Sequence, residues 1–217
     1  MNIYTKIYLV LVVITLIIYL SGFHRKKWYG KMVILHLALC LITTVTAIAL
    51  IKYGRFQNNL FVFHIATPIE YAIFAMLYAN VIVSNKLKKY IFYSIPAFVM
   101  LCVLFFLTVQ PLTVNNSYVV MIESIIMVGL SLYFLRQLLL LQQVQSLNSF
   151  PMFWICVAIL FYFIGSLIIE GMLNYLMRHS MELARKTYRV GYIFKYLLFL
   201  LFIVGALSAR QQPKETA

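Results

Sequence analysis

Four ionisable side chains fall inside stretches otherwise fit only for hydrocarbon: Glu70, Glu123, Glu170 and Lys195. A carboxylate at membrane depth is costly, and it usually faces a bundle interior or a wet cavity where it binds an ion, carries a proton or meets a ligand. The first of them sits in Asn58-Asn59-Leu60-Phe61-Val62-Phe63-His64-Ile65-Ala66-Thr67-Pro68-Ile69-Glu70-Tyr71, where histidine, threonine, proline and glutamate interrupt an oily run. Pro68 has no N–H, so the carbonyl of His64 loses its helical partner and must be satisfied by a side chain, a water or another helix. Pro68 is therefore read as a helix break. His64, Glu70 and the freed carbonyl are expected to line one cavity.

The neighbours of these residues recur at helical spacing. Tyr162, Ser166, Glu170, Asn174 and Arg178 follow one another every fourth residue, and His64, Thr67 and Tyr71 share a face beside Glu70. Tyr188, Tyr192 and Lys195 do the same further on. Such a stripe drifts by only about 40° per step from the helical period. The candidate pocket is thus His64, Thr67, Glu70, Tyr71, Glu123, Tyr162, Ser166, Glu170, Asn174, Tyr192 and Lys195. Lys195 is expected to face the bundle and reach Glu70 or Glu170, directly or through one water. Three carboxylates and one ammonium cannot all be neutralised in pairs, so one glutamate must keep a proton or find Arg178, His64 or an ion. Polar residues also hold helices together, at roughly 0.6 kcal/mol per hydrogen bond in a membrane. That structural role competes with function residue by residue, and less well for a whole layer at one depth.

The elements that position these groups follow from composition. The chain has 217 residues, 64% hydrophobic and 11% charged, where soluble domains carry about 25% charged residues. Spans are expected at about 3–23, 32–51, 60–83, 90–109, 118–135, 151–177 and 188–209. They make an all-α polytopic membrane protein, one domain over 1–217, a bundle of seven transmembrane helices. Seven spans of roughly 20 residues leave no room for a kinase, nuclease or nucleotide-binding module. Measured along these spans at 1.5 Å per residue, the four ionisable residues fall in the same half of the membrane.

The net charge of +13 lies in the links between spans, where lysine and arginine set topology and meet anionic headgroups, so nucleic acid is not an expected partner. Links one, three and five with the tail carry ten of these cations against seven on the other side. This places the N-terminus outside and the C-terminus in the cytoplasm. Cys40, Cys102 and Cys156 read as small buried apolar side chains. His24, His36 and His179 read as surface or interface residues, which leaves His64 alone with the carboxylates and no metal site. The threonines of span two, Thr43, Thr44 and Thr46, can bond back to their own helix and need no function. The first apolar run has Arg25-Lys26-Lys27 after it and little positive charge before it, the reverse of a secretory signal.

The stretch from Asn58 to Glu70, with Ala66 at the variable position, resembles a group of uncharacterised bacterial seven-span membrane proteins carrying Asn-Asn-Leu and then His-Ile-x-Thr-Pro-Ile-Glu at the start of one helix. The resemblance implies a seven-span protein of the inner membrane and no particular activity. The leading functional expectation is a binding or sensing protein with a polar pocket in the outer half of the bundle, suited to a small molecule or lipid headgroup. Its expected partners are the lipid bilayer and either a second copy of the chain or a cytoplasmic protein that meets the basic links. A proton- or ion-coupled transporter is the alternative, although paired broken helices and repeats are absent. A lipid-modifying enzyme ranks below it because no nucleophile motif accompanies the glutamate and histidine. A retinal-binding photoreceptor built on Lys195 ranks lower still, as no acid sits one turn from that lysine. No cofactor is assigned.

Overall fold

The computed structural model describes residues 2–21, 27–54, 58–141 and 147–208, with the side chains of Leu141, Asn174 and Arg178 excepted. These residues form seven long helices and one short 3-10 turn, and no strand. The helices are α1 (Ile3–Ser21), α2 (Trp28–Tyr53), α3 (Leu60–Val81), α4 (Asn85–Thr108), α5 (Ser117–Leu141), α6 (Pro151–His179) and α7 (Met181–Ser208). Each holds an 18-residue window of mean hydropathy 1.7 to 2.5, long and oily enough to cross hydrocarbon at about 1.5 Å per residue. The chain is a multi-pass integral membrane protein, a seven-helix bundle. Leucine, isoleucine and valine dominate its exposed apolar surface, and the largest phenylalanines and tyrosines fill its core.

Helices successive in the chain alternate in direction. Six of them close a ring in the order α1, α2, α3, α5, α6, α7, and α4 packs outside it against α3. Contacts fix the register. Tyr196 OH donates to the Tyr4 carbonyl at 2.8 Å and Tyr19 OH to the Phe202 carbonyl at 3.0 Å, so α1 and α7 run side by side in one direction. Tyr78 OH meets Ser131 Oγ at 2.6 Å between α3 and α5. At the end of α3, Gln137 of α5 accepts from Val83 N–H at 2.9 Å and donates to the Val81 carbonyl at 3.1 Å. One side chain thereby satisfies backbone groups that a helix end leaves open.

Two features differ from the sequence expectation. The segment 178–189, read as a polar link, is helical except at Ser180. Ser180 ends α6, its N–H bonding the Leu176 carbonyl at 2.7 Å, and starts α7, its Oγ accepting from Leu183 N–H at 3.3 Å. That serine cap, with Glu182 in the first turn favoured by the helix dipole, makes a tight antiparallel hairpin instead of a loop. Helix α7 consequently begins seven residues before the expected span. Pro68 does not break its helix either: α3 is continuous from Leu60 to Val81. The Phe63 carbonyl beside the proline takes Thr67 Oγ1 at 2.9 Å and Asn116 Nδ2 at 3.4 Å. These bonds brace the carbonyl next to the one that the proline frees, that of His64, within the same turn.

Candidate functional site

A cavity of about 250 Å³ lies between α1, α2, α3 and α7, with Tyr162 of α6 on its wall. It occupies the half of the bundle that holds the start of α1, because its lining comes from early α1 and α3, from late α2, and from the first two-thirds of α7. The polar lining includes His36, Thr43, Thr67, Glu70, Tyr192 and Lys195. Thr5 Oγ1 and Tyr192 OH, 3.1 Å apart, tie α1 to α7 across it.

Glu70 and Lys195 enter this cavity from opposite walls without touching. Among the described residues no carboxylate is in ion-pair contact with Lys195. Its Nζ instead lies among three rings, 5.6 Å from the centroid of Tyr192, 5.9 Å from Tyr8 and 6.0 Å from Tyr188. That is the distance at which a ring face attracts a cation. A second cavity, of about 30 Å³, lies between Lys195, Glu170 and Ser166, large enough for one water to join ammonium and carboxylate. Glu170 Oε2 also accepts from Asn115 Nδ2 at 2.8 Å. Glu70 Oε1 faces His36 Nδ1 at 3.6 Å, too far for a hydrogen bond, and Tyr162 adjoins the same carboxylate.

The expected site residues separate accordingly. Thr67, Glu70, Tyr162, Tyr192 and Lys195 line the larger cavity, while Ser166 and Glu170 line the smaller, which Tyr162 and Lys195 share. The Asn174 and Arg178 side chains lie outside the described residues. Three candidates belong elsewhere. The His64 ring bonds the Val114 carbonyl at 2.8 Å in the link before α5, so it anchors a loop and does not join Glu70. Tyr71, one residue on from Glu70, turns to α4, stacks on Phe98 with centroids 4.0 Å apart and donates to Ser94 Oγ at 2.7 Å. Glu123 is 1% exposed, its Oε1 has no hydrogen-bond partner, and it lines neither cavity.

The largest correction concerns His36. Read from sequence as an interface residue, it is 1% exposed and packs its ring on Phe74 at a centroid distance of 4.6 Å. Cys40, read as apolar filler, places Sγ 3.5 Å from His36 Nε2. With Thr43, Thr44 and Ala47 these residues form one face of α2 toward the cavity. The spacing i, i+4, i+7, i+8 was the signal available for that face; attributing the threonines to back-bonding hid it. No family model, curated protein or solved structure matches the chain.

Proposed function

We propose that this membrane protein binds a small polar molecule or a lipid headgroup in the cavity between α1, α2, α3 and α7. The supporting observation is the pairing of charges that do not neutralise one another. Lys195 and Glu70 line one cavity, the ammonium among tyrosine rings and the carboxylate beside the His36 imidazole and Tyr162. Preformed pockets with a few converging polar groups on apolar walls are the usual form of a small-molecule site. The opposite half of the bundle is filled by Tyr19, Tyr78 and Phe134, all at most 2% exposed, which favours holding a ligand over a continuous path. The basic excess on the links at the far end of α1 supports an orientation with the cavity in the outer half of the cell membrane and the C-terminus in the cytoplasm.

The test is thermal melting of the protein in nanodiscs against amphiphiles with anionic, zwitterionic and neutral headgroups, together with mass spectrometry of co-purified lipids. A headgroup-dependent rise in melting temperature is expected, absent in Lys195→Met and Glu70→Gln. Equal melting with every amphiphile, and the same in both variants, would refute a headgroup site.

A further inference from the structure

Helix α2 carries His36 and Cys40 one turn apart on the cavity side. Cys40 Sγ lies 3.5 Å from His36 Nε2. The opposite ring nitrogen, Nδ1, faces Glu70 Oε1 at 3.6 Å and has no hydrogen-bond partner. Phe74 against the ring and Phe202 edge-on at 6.2 Å hold the imidazole in place. All three polar groups line the same cavity. Thiol, imidazole and carboxylate in that order are a nucleophile, its base and the group that orients the base.

We propose that Cys40, His36 and Glu70 form a thiol acyl-transfer site acting on an ester- or thioester-linked acyl group. The proposal rests on the cavity admitting a ligand. Any helix brings a cysteine and a histidine four residues apart into contact. Helical spacing alone does not explain the carboxylate supplied by α3 to the far nitrogen, nor the cavity beside the sulfur. Shared metal ligation does not account for the trio either: the imidazole presents opposite nitrogens to Cys40 and Glu70, so no single ion meets all three, and no metal grouping exists among the described residues. The other thiols differ. Cys156 is spent in the packed core, donating to the Ser131 carbonyl at 3.4 Å, and Cys102 lies on α4, outside the ring.

In the first step the Cys40 proton passes to His36 Nε2 while sulfur bonds to the acyl carbonyl carbon. The Glu70 carboxylate, 3.6 Å from Nδ1, favours a proton on that nitrogen and faces the imidazolium as it forms. Collapse of the tetrahedral adduct breaks the acyl C–O or C–S bond, and the leaving alcohol or thiol takes the proton from Nε2. The acyl group is then a thioester on Cys40. A second alcohol, an amine or water attacks it, gives its proton to His36, and returns the thiol; no oxidant or reductant is required. Tyr8, adjoining Cys40 and Thr44, offers a hydroxyl in the cavity as a donor to the carbonyl oxygen. Glu70 acts through His36 and is a positioning residue.

The experiment uses the full-length protein in nanodiscs and reads acyl adducts by intact mass and peptide mapping. Three donors are compared: p-nitrophenyl octanoate, an octanoyl thioester of N-acetylcysteamine, and an octanoyl-chain phosphatidylglycerol in the disc. Octanoylation by the first is expected on Cys40, removable by neutral hydroxylamine, at least ten times faster than on Cys102 or Cys156 of the same molecules. His36→Gln should slow it by roughly 100-fold or more, the range of a positioned general base. Glu70→Gln should lower the rate and displace its pH profile, which a merely structural loss would leave in place. Faster reaction with the soluble thioester or with the lipid identifies the donor. The within-molecule comparison needs no variant to fold. Cys40 reacting no faster than Cys102 and Cys156 overturns the thiol site, as does a folded His36→Gln that acylates at the wild-type rate. Headgroup-dependent melting without Cys40 acylation removes this site and leaves the binding pocket; loss of both removes both.

Discussion

Helix α3 and its neighbour α5 each carry a glutamate into the bundle, and the two end in opposite situations. Glu70 opens on a cavity, faces an imidazole and keeps 19% of its side chain exposed. Glu123 is 1% exposed, and one of its oxygens has no partner. The same residue type at similar depth therefore meets open space in one region and is sealed in by packing in the other. What separates them is which helices close over each. Around Glu70 the ring leaves a gap where α1, α2, α3 and α7 converge, whereas Glu123 is closed in beside Tyr71 and Cys102, where α3, α4 and α5 meet, although still within electrostatic reach of Glu70. Acidity in a span does not mark a functional site unless the packing leaves space beside it.

Exchanging the two carboxylates tests this contrast most severely. Glu70→Gln is expected to abolish any headgroup-dependent melting shift while the protein still folds, since the amide keeps most hydrogen bonds. Glu123→Gln should leave that shift intact. A shift lost in both, or in Glu123→Gln alone, would place the binding site on the other side of α3.

The wall behind the cavity comes next. A Cβ built on Gly165 of α6 would fall inside the ring of Phe194 on α7, so Gly165→Ala must push the helices apart. Overpacking of this kind costs about 1–3 kcal/mol, and the cavity side should feel it through Tyr162 and Lys195 on the same two helices. Unchanged melting and unchanged ligand response in Gly165→Ala would mean that this contact does not set the cavity's shape.

On the sealed side the expected sign is reversed. Glu123→Met removes a buried carboxyl oxygen without a partner, and a gain of about 1–3 kcal/mol is expected, the usual cost of an unpaired buried polar group. The readout is chemical denaturation in mixed micelles. A loss of stability would show that Glu123 has a partner of consequence.

The smallest effect belongs to the residue that joins the two regions. Thr67 lines the cavity, donates to the Phe63 carbonyl at 2.9 Å and accepts from Asn116 Nδ2 at 2.7 Å. Thr67→Val should cost about 1 kcal/mol for the net hydrogen bonding and shift ligand affinity only slightly. A loss of binding as complete as that of Glu70→Gln would make the threonine a direct ligand contact.

The sequence determined the class of the molecule. Seven oily runs separated by short polar links leave a chain no stable arrangement but helices across a bilayer, because backbone groups in hydrocarbon must bond within their own segment. It also singled out Glu70 and Lys195, since a charge in such a run is rare enough to be informative. Tertiary structure decided the company these residues keep. Tyr71 and Glu70 are adjacent in sequence yet face α4 and the cavity respectively, because a helix turns about 100° per residue. His64 met a loop carbonyl, and His36, in another helix, took the place beside Glu70. Serine capping at Ser180 turned an apparent link into two helix ends and placed Lys195 near the middle of α7. Single-helix spacing reports faces and depths only. Which faces meet depends on the order and rotation of helices around the ring, and that is set by side-chain packing summed over the whole bundle.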